Sequence, residues 1–101
     1  MLDQLTHESF TPYLNSTFTV HYDGSETMPL TLISVDTLGH QPEPGSGQRW
    51  SFAITLHSSL KDQYLIQQIY TLEHPELKQM ELFLVPLGPD ANGMRYEAVF
   101  T

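Results

Sequence analysis

The chain has no cysteine, which excludes a disulfide framework and thiolate metal ligation and leaves packing alone to hold the core. It is nearly as poor in cations. Four Lys and Arg stand against twelve Asp and Glu, for a formal charge of -8, and Arg49, Lys61, Lys78 and Arg95 are scattered along the chain. Nucleic-acid binding draws on clustered Lys and Arg that displace counterions from phosphate, and an anionic membrane surface asks for the same. Neither is expected as a partner. No apolar run approaches the roughly 20 residues of a spanning helix. Met1-Leu2-Asp3-Gln4-Leu5 carries an acid where a signal peptide carries Lys or Arg, so the expected compartment is the cytoplasm. Asn15-Ser16-Thr17 fits a glycosylation sequon but reads, without a secretory signal, as a chance match.

The 101 residues, 40% hydrophobic and only 16% charged, predict a folded chain rather than a disordered one, with residues 1–101 as a single domain around one modest core. A helix is plausible only within 2–14, where Thr6 is a candidate N-cap ahead of His7-Glu8-Ser9-Phe10 and Pro12 stops it early. Leu2, Leu5 and Phe10 would then plug one end of a sheet. From Thr17 the period is two. Phe18, Val20 and Tyr22 alternate with Thr17, Thr19 and His21, and Asp23-Gly24-Ser25-Glu26 follows as a hairpin turn. The run 28–38 changes phase: Leu30 and Leu32 share one face while Ile33 and Val35 share the other. That strand is covered on both faces or contains a bulge that re-aims its second half.

A Pro- and Gly-rich loop is expected over 39–48. Trp50, Phe52, Ile54 and Leu56 then alternate with Ser51, Ala53, Thr55 and His57, placing an aromatic face in the core. Residues 58–63 read as a connection, 64–69 are ambiguous, and 70–74 form a strand closed by Pro75. The last hairpin spans Glu73 to Phe100. Phe83-Leu84-Val85 is apolar on both faces, as in a doubly covered strand, and 87–93, ending in Asn92-Gly93, is its connection. The sum is an all-β chain, a small antiparallel barrel or sandwich of about six strands with a short N-terminal helix.

His74-Pro75-Glu76-Leu77, Leu82-Phe83-Leu84-Val85-Pro86-Leu87-Gly88-Pro89-Asp90, Gly93 and Tyr96-Glu97-Ala98-Val99-Phe100, with Phe10, Phe18, Trp50-Ser51-Phe52, Gln67 and Tyr70 upstream, resemble a family of small bacterial domains of unknown function. Where that family has Gln-Gly ahead of a Tyr, this chain has Gln67-Gln68-Ile69-Tyr70. The resemblance implies no activity. It implies a structural or adaptor role, in the neighbourhood of phage-tail-like proteins.

Five histidines in an acidic chain invite a metal hypothesis, yet His7, His21, His40, His57 and His74 show no local ligand spacing. A site would have to be assembled from separate strands, with His21 and His57 the candidates if their strands are neighbours. For catalysis, His74 beside the strand carrying Glu97 would give an imidazole oriented by a carboxylate, with Glu73 and Glu76 close in sequence, but no nucleophile completes it. Asp90-Ala91-Asn92-Gly93 is a fragment of a calcium loop without its remaining oxygens, so it reads as a turn. Acid pairs among Glu73, Glu76, Glu81 and Glu97 are what any acidic chain offers. Aromatics such as Trp50, Tyr64, Tyr70, Phe83 and Tyr96 could line a ligand cavity, although so small a barrel fills its interior with side chains.

The expectation is therefore a non-enzymatic interaction or assembly module without a cofactor, binding a protein partner or a second copy of itself through Tyr64, Phe83 and Val85. An accessory of a phage-tail-like bacterial machine fits that role. The competing expectation is a small enzyme or ligand-binding barrel using His74 and Glu97.

Overall fold

The computed structural model describes residues 4–60 and 63–101. Leu2, expected in the plug, and part of the connection expected over 58–63 lie outside the described residues. Helix α1 (His7–Phe10) starts after Thr6 as expected: the Thr6 N–H donates to Ser9 Oγ at 3.0 Å and the Ser9 N–H to the Thr6 carbonyl at 2.9 Å. Pro12, with no N–H to donate, ends it, and a 3-10 turn over Thr11–Tyr13 leads to the sheet. Among the described residues no helix is long and apolar enough to cross a membrane.

Six strands follow: β1 (Thr17–Asp23), β2 (Glu26–Thr37), β3 (Phe52–Ser58), β4 (Gln68–His74), β5 (Lys78–Asp90) and β6 (Gly93–Phe100). They close into a barrel in the order β1-β2-β3-β6-β5-β4, every pair antiparallel. Of the two architectures the alternation allowed, the barrel forms because β1 also pairs with β4, Thr19–His21 against Thr71–Glu73, and so leaves no sheet edge along that seam.

Alternation sets the interior. Phe18, Val20, Leu30, Phe52, Ile54 and Leu84 are fully buried with their neighbours in one cluster. Each such side chain contributes roughly 1.5–3 kcal/mol by leaving water. The phase change in β2 resolves as a bulge: Leu32 pairs with Leu56 but Ser34 with Thr55. Ile33 is the extra residue, turned to solvent, and Val35 returns to pack on the core.

Two plugs fill the barrel ends. At one, Phe10 sits 5.4–6.4 Å from the rings of Phe18, Phe52 and Phe100, with Leu5 packed alongside. The Arg49 guanidinium lies over Phe52 and Phe100 and donates to the Leu5 and Thr101 carbonyls. At the other, the connection from β3 to β4 must cross the barrel mouth, because those strands are diametrically opposite in the ring. Leu65 is buried there. Its N–H donates to the Tyr96 hydroxyl at 2.8 Å, and the Tyr70 hydroxyl donates to the Ile66 carbonyl at 2.7 Å.

Three local expectations change. β3 begins at Phe52, so Trp50 stands ahead of it, half-buried against His7 and donating from its indole N–H to the Leu38 carbonyl. β5 continues through the expected 87–93 connection as far as Asp90, with a bulge between Pro86 and Gly88. Beyond Leu84 it pairs with β6 alone, so Pro86 and Pro89 interrupt no second ladder. Finally, Phe83-Leu84-Val85 is not doubly covered. Leu84 points inward with no exposure, while Phe83 is 49% exposed, since among the described residues none covers it on the outer face of β4 and β5.

Candidate functional site

His74 closes β4 and is almost completely buried. Its Nδ1 accepts the backbone N–H groups of Glu76 at 3.1 Å and Leu77 at 3.4 Å. The ring proton therefore belongs on Nε2, which donates to Ser16 Oγ at 3.1 Å, and the Ser16 hydroxyl donates on to the Tyr13 carbonyl at 2.5 Å. Tyr13 and Phe18 each place a ring 4.7 Å away. Both nitrogens are thus engaged in joining the β4–β5 turn to the chain entering β1. Glu97 is elsewhere, opposite Val85 and Thr55 on β6, and β5 separates it from the strand of His74.

His21 and His57 do not meet, because β2 lies between their strands. Each finds a carboxylate of its own. His21 Nε2 contacts Glu73 Oε1 across the β1–β4 seam, and His57 Nε2 lies 3.5 Å from Asp90 Oδ1. Among the described residues no group of three or more His, Asp and Glu is placed to hold a metal ion. Asp90 instead organises the last turn. Its Oδ1 accepts the Asn92 N–H at 2.8 Å, and Arg95 Nε stands 3.8 Å from Oδ2. The Asn92 amide, seconded by His57, holds the Asp90 carboxyl below its ordinary value. Beside this turn, Leu60, Tyr64, Pro89 and Met94 line an open cleft of about 380 Å³.

The expected aromatic cavity lining is dispersed. Tyr70 and Tyr96 belong to the core, where burial pushes both phenols above their ordinary value. Tyr64 is 65% exposed. The outer face of β4, β5 and β6 gathers apolar side chains instead. Ile69 pairs directly with Phe83, and the two are 63% and 49% exposed. Val85 follows Phe83 on the same face, partly exposed, and Val99 is exposed on β6. Carboxylates flank this stripe: Glu81 is two residues from Phe83 on its face of β5, and Glu97 stands directly opposite Val85. The face can bury apolar surface against another molecule.

A family model described as a domain of unknown function matches residues 5–100. The chain belongs to the DUF6916 family. Compared with curated proteins and with solved structures, it matches none. The DUF6916 match covers all six strands and α1, so the outer face lies within the family's own domain. Phe83 and Val85 are legible in the sequence as surplus apolar residues; Tyr64 stands apart from them, in the connection ahead of β4 beside the Asp90 turn. Ile69, Glu81 and Glu97 as companions of Phe83 and Val85 are not legible there, because β4 begins inside the ambiguous stretch 64–69. The signal was present downstream: with Tyr70, Leu72 and His74 inward, Ile69 must point out.

Proposed function

We propose that this DUF6916 domain is a non-enzymatic interaction or assembly module that binds protein through the outer face of β4 and β5. The observation that carries the reading is the pairing of Ile69 with Phe83, two large apolar side chains set directly across from each other and both open to solvent. Aromatic and aliphatic residues so placed are anchors for a partner, and the cost of keeping them wet is recovered on docking. The packed interior supports the same reading, since a six-stranded barrel plugged by Phe10 and Leu65 keeps its aromatics for stability. The setting we propose, on the resemblance of the C-terminal segment, is as an accessory of a phage-tail-like bacterial machine.

The test is a photo-crosslinking amino acid placed at Phe83, and in parallel at Ile33 on β2, in the native host. A discrete adduct from position 83 that is absent from position 33 and abolished by Ile69→Ser is the expected result. No adduct from position 83, together with turnover that depends on His74, would replace this reading with a catalytic one.

A further inference from the structure

We infer that the occupant of the Ile69–Phe83 face is a protein surface that carries Lys or Arg beside its apolar anchors; the inference rests on the interaction reading above. Glu81 and Glu97 stand on that face next to Phe83 and Val85, and among the described residues neither has a cationic partner. The chain's described cations are spent elsewhere. Lys78 donates to the Pro75 carbonyl, Arg49 lies over the Phe52 and Phe100 rings, and Arg95, although two residues from Glu97 on the same face of β6, is turned to Asp90, with its Nε 3.8 Å from Oδ2. Among the described residues no ion pair neutralises the two carboxylates.

A docking partner must either leave them solvated at the rim or answer them with opposite charge, and the second both steers encounter and fixes register. A second copy fits poorly. Two chains of charge -8 meeting through this face would bring Glu81 and Glu97 of one against those of the other, like charges at close range. An acidic or nucleic-acid partner meets the same repulsion. The complement is an apolar surface with basic residues spaced around its anchors.

The probe is a fluorescent twelve-residue peptide alternating Lys with Ile and Phe, and a twin with Glu in place of each Lys, titrated with the full chain and followed by anisotropy. The Lys peptide is expected to bind and the Glu twin not. Binding should weaken about tenfold or more in the Glu81→Lys, Glu97→Lys double variant, where attraction becomes repulsion. The Glu26→Lys, Asp36→Lys variant makes the same net change on β2, diametrically across the barrel from β5, and should weaken binding less than about twofold, because screening limits charge effects to roughly 10 Å. Phe83→Ser, checked for an unchanged unfolding transition, should weaken it about tenfold.

Equal losses in the two charge-reversed variants, binding of the Glu twin, or failure of the Lys peptide to bind overturns the basic occupant. A dimer in sedimentation that Phe83→Ser dissolves overturns it too, in favour of a second copy. Each of these results is compatible with crosslinks from position 83, whereas loss of those crosslinks is what defeats the interaction role itself.

Discussion

Among the glycines, Gly93 is the position where the fold can least accept a side chain. Its φ is +146°, and a Cβ there would lie 1.9 Å from the Ser58 carbonyl oxygen, which is backbone of the adjacent strand and has nowhere to go. Gly93→Ala should therefore cost at least about 3 kcal/mol, strain and overpacking together, read as a collapse of the urea midpoint. Asp90 adds an acid-sensitive contribution at the same turn. The Asn92 amide, then His57, depress its pKa in the folded state, so its contribution is complete above the unfolded carboxyl value of about 4 and disappears as pH falls through the lower folded value. Unfolding measured from about pH 6 down to pH 3 should show this loss in the wild type and a flatter acid limb in Asp90→Asn.

At the scale of elements, the crossing segment between β3 and β4 is held by a buried hydrogen bond rather than by a ladder. Removing the Tyr96 hydroxyl leaves the buried Leu65 N–H without its acceptor. Tyr96→Phe should then cost about 1–3 kcal/mol and speed amide exchange at Leu65, while exchange in the β1–β2 hairpin stays unchanged. The opposite plug depends on volume. Phe10→Ala empties the space between Phe18, Phe52 and Phe100, with an expected loss of about 3–5 kcal/mol by thermal unfolding. β2 shows what an element hides from its own sequence. Its phase change allowed either a second cover or a bulge, and the choice fell to β3, whose Leu56 and Thr55 pair with Leu32 and Ser34 and leave Ile33 outside.

For the whole molecule, the charge of -8 acts on everything at once. Self-repulsion weakens the compact state, so the thermal midpoint should rise as salt increases from about 20 to 200 mM and screening shortens the reach of each charge. Association with a basic partner should move the other way over the same range. A midpoint that falls with salt would instead mean that attractive pairs such as Arg95–Asp90 outweigh the excess of like charge.

Residue types and their order determined the strands, the turn at Gly24-Ser25, the start of α1 at Thr6 and most of the core, because burial of alternating side chains is a local pattern with a period of two. They also determined the shortage of cations. Only the closed barrel decided which strands touch: that β5 stands between His74 and Glu97, that β2 stands between His21 and His57, and that Ile69 faces Phe83 in the open. Ring order depends on which distant strands hydrogen-bond, and a strand's own sequence specifies which of its faces is buried but not which neighbour lies at its edge.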